Sequence, residues 1–163
     1  MINKNQKSLP KRLRLPQEEY RGFKRYFLTI VTFKRKKYFS DRNNCFFIYK
    51  HLSQALKKND FKAFLFLFMP DHLHLLIEAQ DLNCDLEKFI KDFKQSSGFY
   101  FKKYTDHKLW SKSYYDHILR NNEYIENIIW YILNNPVRKN LVRFWYEYKY
   151  WGSTIYRKED FYN

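Results

Sequence analysis

The chain has 163 residues, with 31 Lys and Arg against 17 Asp and Glu, for a formal charge of +14. That length is one ordinary domain, and the positive surplus points to a polyanionic partner, nucleic acid before an acidic membrane. Aromatic residues make up 21% of the chain, too rich for a disordered basic tail, and there are three glycines, Gly22, Gly98 and Gly152, where ordinary usage gives about eleven. They lie too far apart for a phosphate-cradling G-x-x-x-x-G-K loop or a dinucleotide-binding G-x-G-x-x-G turn. No nucleotide cofactor is therefore expected.

Cys45 and Cys84 are 39 positions apart with no C-x-x-C partner, which gives neither a zinc ribbon nor a disulfide framework. Two reduced thiols in a cytoplasmic protein is the expectation. No apolar run reaches the ~18–20 residues of a membrane span, and the polar, basic start is unlike a secretory signal. No membrane partner is expected.

Residues 1–20 carry Pro10, Pro16 and five Lys or Arg and read as a basic arm. A domain over 21–150 and a tail over 151–163 complete the expected division. The first strand is the β-branched and aromatic run from Tyr26 to Phe33, with basic residues at both ends. Ser40 or Asp41 then caps a helix to about Lys58, with Phe46, Tyr49, Leu52 and Leu56 at helical spacing. Phe61 to Phe68 is nearly all apolar, a strand buried on both faces. Met69-Pro70-Asp71 breaks it, and His72 to Ala79 returns as the second arm of a hairpin.

Asp85 opens a second helix, with Leu86, Phe89, Ile90 and Phe93 on one face, running to about Tyr104. A short strand follows from Trp110 to Leu119. The last helix runs from about Asn122 to Asn134 and is stopped by Pro136. The aromatic, basic segment from Leu141 onward has no clear assignment. The first six elements, in the order βαββαβ, give an α+β ferredoxin-like fold: an antiparallel sheet with both helices on one face and a C-terminal helix added.

Two groups of residues could carry chemistry. Side chains alternate along a strand, so His72 and His74 face one way and Leu73 the other, with Cα atoms ~6.5–7 Å apart. Two imidazoles at that span can converge on a metal ion. The same doublet also occurs simply as two half-exposed strand histidines, and Asp71 and Glu78 nearby would suit a carboxylate-assisted site instead. On the last helix, Ile125, Ile128, Ile129 and Ile132 give an apolar core face, and Tyr131 and Asn135, four apart, share one stripe. A phenol and an amide so placed offer a nucleophile beside a neutral oxygen ligand; equally, they suit an aromatic packing surface and a helix cap before proline.

The segment Met69-Pro-Asp-His72-Leu-His74-Leu-Leu76 resembles the histidine–hydrophobic–histidine (HUH) motif of single-tyrosine HUH transposases. Trp110-Ser-Lys-Ser-Tyr-Tyr-Asp-His117-Ile-Leu-Arg120 followed by Tyr131-Ile-Leu-Asn-Asn135-Pro-Val-Arg138 is similar to the signature of the REP-associated tyrosine transposase branch, and Lys34-Arg-Lys-Lys37 after the first strand fits as well. The resemblance covers roughly residues 20–155 and implies a ferredoxin-like fold. It also implies a Mg²⁺ or Mn²⁺ ion held by His72, His74 and Asn135, with Tyr131 as the nucleophile. His117 and Arg120 match recurrent positions, expected to contact substrate or support the site. Ligand preference by itself would assign two imidazoles and an amide to Zn²⁺ or Fe²⁺.

The expected activity is cleavage and rejoining of single-stranded, hairpin-flanked DNA through a 5′-phosphotyrosine. An unaided phenol, pKa ≈ 10, is a poor nucleophile at neutral pH, and a divalent ion would polarise the phosphate. The covalent link keeps the bond energy, in agreement with the missing nucleotide loops. Lys11, Arg12, Arg14, Lys34, Arg35, Lys36, Lys37, Lys94, Lys102 and Lys103 are the residues expected to track phosphates, with aromatics stacking bases. A monomer is preferred over a homodimer. The rival readings are a hairpin-binding relative without catalysis, and a zinc hydrolase on another fold, against which the missing H-E-x-x-H counts.

Overall fold

The computed structural model describes residues 16–120 and 123–162, and these form one five-stranded antiparallel sheet with helices on both faces. The elements are β1 (Arg25–Thr32), α1 (Arg42–Lys58), β2 (Phe61–Met69), β3 (His72–Ala79), α2 (Leu86–Thr105), β4 (Trp110–Ile118), α3 (Ile125–Leu133), a short turn α4 (Asn135–Arg138) and β5 (Trp151–Gly152). The strand order is β4-β1-β3-β2-β5. Strands β1 to β4 with α1 and α2 are the expected ferredoxin-like unit.

Alternation along the strands divides the sheet into two faces. Leu28 and Ile30 of β1 and Leu73, Leu75 and Ile77 of β3 pack with Ile48 and Leu52 of α1 and Phe89, Ile90 and Phe93 of α2. On the opposite face, Leu76 joins Leu65, Leu67 and Met69 of β2 under Ile129, Ile132 and Leu133 of α3. Strand β2 serves both layers, which explains its unbroken apolar run. A register shift between Ala63 and Leu65 turns the strand so that Phe64 and Leu65 both reach the second layer.

Helices α1 and α2 start where the sequence signals them. Asp41 caps α1 by accepting from the Asn43 N–H, and Asp85 caps α2 by accepting from the Lys88 N–H. Three expectations need correcting. The buried face of α1 is Cys45, Ile48, Leu52, Ala55 and Leu56, while Phe46 is 59% exposed. Pro136 does not end the chain's helical run but opens α4, because proline in a first turn lacks only an N–H that would have no partner there. Finally, α3 begins at Ile125 rather than near 122.

The expected domain limits also shift. Tyr20, placed in the arm, is buried in the core and its hydroxyl donates to Asp116 at 3.1 Å. The C-terminal segment is equally part of the fold: Trp151 and Phe161 are buried, and β5 pairs with β2 at Phe66 and Leu67. The Tyr148 hydroxyl donates to the Phe68 carbonyl at 2.7 Å, securing that segment to β2.

Candidate functional site

The hairpin between β2 and β3 sets the position of the two histidines. Its turn, Pro70-Asp71, is held by the Thr32 N–H and hydroxyl, both donating to the Asp71 carbonyl, and by the Phe39 N–H donating to the Pro70 carbonyl. From that fixed start, His72 and His74 project on the α3 side of the sheet while Leu73 enters the core between the layers. Their Nε2 atoms approach to 3.1 Å. The other ring nitrogens are engaged outward: His72 Nδ1 donates to Asp71 Oδ1 at 2.6 Å, and His74 Nδ1 meets Thr29 Oγ1 at 3.0 Å.

Burial lowers the pKa of both histidines. His74, 6% exposed, is held at about 3, mainly by burial and further by His72 and Arg138. Burial also pulls His72 below the ordinary value, although Asp71 opposes it. Burial alone would raise the Asp71 carboxyl, but the bonds from His72 and from Arg35 Nη1 at 3.0 Å outweigh it and hold it low. Both imidazoles are thus neutral at neutral pH, the form that offers a lone pair to a metal.

Since Asp71 can only accept, the proton of His72 sits on Nδ1 and its Nε2 carries the lone pair. Thr29 can donate to or accept from His74, so the second ring is free to take the matching tautomer. Two nitrogens bound at right angles to a cation at ~2.1 Å would be about 3 Å apart, close to the spacing found. The pair therefore fits a divalent ion. Among the described residues, no group of three or more His, Cys, Asp or Glu side chains could hold a metal ion.

Tyr131 lies on the same side of the sheet. Phe27 of β1 packs edge-on against its ring at 6.0 Å and against the His74 ring at 5.6 Å, a single aromatic spacer between the two. Tyr131 is 47% exposed, and the Arg138 guanidinium stands over its ring at 4.1 Å. Asn135 is 7% exposed; its Nδ2 donates to the Tyr131 carbonyl at 3.0 Å and its Oδ1 accepts from Arg138 at 2.9 Å. The amide is thus tied into its own turn of the chain.

His117 Nε2 meets Glu123 Oε1 at 2.6 Å, and the Arg120 N–H donates to Glu123 Oε2 at 2.6 Å. These two residues brace the connection from β4 to α3.

The basic residues separate into groups. Lys11, Arg12 and Arg14 lie outside the described residues. Arg35 is paired with Asp71, so it supports the histidine hairpin. Lys34 and Lys108 both stand against the Phe33 ring, at 5.6 and 4.7 Å. Lys94, Lys102, Lys108 and Lys112 line one cleft of about 350 Å³ between α2 and the β4 edge, which no carboxylate lines. Lys94 donates there to the carbonyls of Ser111 and Lys112. Lys36, Lys37 and Lys103 are exposed and do not line that cleft.

The sequence reading gives no role to four residues of this region: Thr29, Arg138, Lys108 and Lys112. For Thr29 there was a signal, a polar residue at an alternate position of an otherwise apolar strand. Lys108 and Lys112 flank the start of β4 and could have been read as an edge.

The sequence model described as Transposase IS200 like matches residues 24–135. The chain belongs to the IS200-like transposase family. Its fold is similar to that of a REP-associated tyrosine transposase bound to a REP hairpin, with a TM-score of 0.71 at 17% identity over 94% of this chain and 86% of that one. A transposase from Deinococcus radiodurans R1, itself described as putative, is similar with a TM-score of 0.53 at 22% identity over 69% of this chain and 90% of that one. The search of curated proteins gave no match. The family makes the chain a DNA transposase. Among the described residues no helix is long and apolar enough to cross a membrane.

Proposed function

We propose that this transposase cuts and rejoins single-stranded DNA flanked by a hairpin, with Tyr131 as nucleophile and His72 and His74 holding a Mg²⁺ or Mn²⁺ ion. The observation that carries the reading is the convergence of two neutral imidazole Nε2 atoms, 3.1 Å apart, one aromatic ring away from an exposed tyrosine. When bound, the ion supplies Lewis-acid stabilisation of charge on the phosphate and leaving oxygen.

The residues present supply the rest. Tyr131 Oη attacks phosphorus and gives up its proton, while the bond to the 3′ oxygen breaks and that oxygen takes a proton. A 5′-phosphotyrosine and a free 3′-hydroxyl result, and the reverse attack rejoins DNA. Arg138, already against the Tyr131 ring, brings a fixed positive charge toward a phosphate attacked from there. Asn135 Oδ1 accepts from Arg138 and has one lone pair left to serve as third ligand. The lysine cleft beside β4, reached through Phe33 from Lys34, suits the phosphates of a hairpin stem, the kind of DNA held by the REP-associated relative.

The test is a denaturant-resistant adduct on labelled hairpin-flanked single-stranded DNA with Mn²⁺. Wild-type protein forms it; Tyr131→Phe and His72→Ala do not, while both still bind the DNA. An adduct that persists in Tyr131→Phe overturns the assignment.

A further inference from the structure

Across the sheet from the histidines, between α1 and the β2–β5 edge, lies a cleft of about 580 Å³. Its volume falls in the range of small-molecule sites. Tyr49 and Phe66 form one wall, with ring centroids 5.0 Å apart and planes 30° apart. The exposed Phe46, whose ring lies under Lys50 at 4.6 Å, with Phe68, Tyr150 and Trp151, completes the aromatic lining, although the Trp151 ring itself packs in the cluster on the α3 face. Among the described residues, Arg42 and Lys149, both exposed, are the cations that line the cleft, and no carboxylate lines it.

Gly152 accounts for part of this shape. A Cβ there would lie 2.6 Å from Phe66 Cζ, so only glycine lets that ring lie over β5 and wall the cleft. Among the nucleophilic groups of the lining, Tyr49, Tyr150, Lys149 and Cys45, the thiol has the lowest ordinary pKa. It is buried, donates to the Phe39 carbonyl, and is pushed up to about 12, chiefly by burial. The cleft is a place to bind and not a second place to react.

Flat aromatic walls with cations and no acid select a flat, anionic guest. Base stacking on aromatic rings with basic residues on the backbone is the mode by which single-stranded nucleic acid is held without sequence reading. A second copy of this chain, itself at +14, would bring like charge to the cleft. We infer that the cleft between α1 and the β2–β5 edge seats one unpaired nucleotide of the DNA strand. The inference rests on the DNA-cleavage reading above. Because Phe66 and Phe68 point to the α1 layer and His72 and His74 to the α3 layer, the seated nucleotide is not the one being cut. The strand reaches it around the β5 edge, and the cleft fixes the flanking strand's path.

The test compares binding of a blunt DNA hairpin with the same hairpin carrying a single-stranded extension at either end. Wild-type protein binds one of the extended hairpins more tightly than the blunt one. The double variant Arg42→Ala/Lys149→Ala loses at least about five-fold of that preference, the scale expected when two cationic contacts to the strand's phosphates are removed. The variant keeps its melting temperature and its affinity for the blunt hairpin. A control that removes two other exposed lysines, Lys57→Ala/Lys91→Ala, keeps the preference. An unchanged preference in the cleft variant, or an equal loss in the control, overturns the inference. The Tyr131 adduct is scored in the same samples. Adduct without cleft-dependent preference sinks the cleft alone, whereas preference without adduct sinks the cleavage reading and leaves the cleft standing.

Discussion

The two faces of the sheet are made from the same strands and carry different loads. Toward α1 and α2, β1 and β3 present only side chains such as Leu28, Ile30, Leu73 and Leu75, all fully buried. Toward α3, the intervening positions of the same two strands present Phe27, Thr29, His72 and His74, of which only His74 is deeply buried. Period-two alternation thus lets one hairpin anchor the core on one side and display polar chemistry on the other. The polar face costs stability, since one buried and one partly buried imidazole are desolvated, and the bonds with Asp71 and Thr29 offset that cost.

Exchanging the effects of the two faces is the sharpest way to break this comparison. His74→Ala should abolish the phosphotyrosine adduct while leaving the melting temperature within a few degrees. Phe93→Ala, which empties a fully buried position under the other face, should cost about 3–5 kcal/mol and lower the melting temperature markedly, with the folded fraction still forming adduct. Thermal melts and adduct assays on both variants decide it. If His74→Ala unfolds the protein, the faces do not divide stability from chemistry.

A smaller effect tests the support of the second histidine. Thr29→Val keeps the shape of the side chain and removes the hydroxyl beside His74 Nδ1. Mn²⁺ affinity, measured by calorimetry, should fall about 10-fold, the lower end for an outer partner of a ligating imidazole. Unchanged affinity would leave the hydroxyl without a role in metal binding.

The smallest effect concerns pH at the link between the faces. The Arg120 N–H and then His117 hold the Glu123 carboxyl below its ordinary value of 4.5. A depressed carboxyl stabilises the fold above its unfolded pKa, and that contribution is lost as pH falls through the lower folded value. Protection of the Arg120 amide and of the first turn of α3 against hydrogen exchange, corrected for the intrinsic rate at each pH, should therefore be full at neutral pH and fall as pH drops below the ordinary carboxyl range and through the depressed Glu123 value. In Glu123→Gln that acid-dependent step should disappear.

Much of this was legible in the sequence, and the exceptions have physical causes. The strands and the caps Asp41 and Asp85 were readable because alternation and capping are local. The α1 stripe of Phe46, Tyr49, Leu52 and Leu56 is right in its two leucines and wrong at Phe46, because bulky aromatics dominate a spacing pattern. The helix instead buries the neighbouring phase through Cys45, Ile48 and Ala55, and Phe46 is left to line the cleft. Pro136 read as a stop because nothing local shows whether a proline follows one helix or opens the next turn. The C-terminal segment could not be read because its one strand is two residues long and exists only by pairing with β2.

Of the candidate site, the sequence by itself determined that His72 and His74 share a face, since covalent geometry alternates side chains along a strand whatever surrounds it. It also determined the charge of +14 and, through three scattered glycines, the absence of a phosphate-cradling loop. Tertiary structure alone decided that Tyr131 comes to that face. It does so because Ile129, Ile132 and Leu133 of α3 can bury their apolar surface only against Leu65, Leu67 and Leu76 of strands more than fifty residues earlier. The same folding brought Thr29 to His74 and Arg138 to Tyr131, and placed Gly152 under Phe66. Contacts of that range are set by which surfaces exclude water together, and no local pattern encodes them.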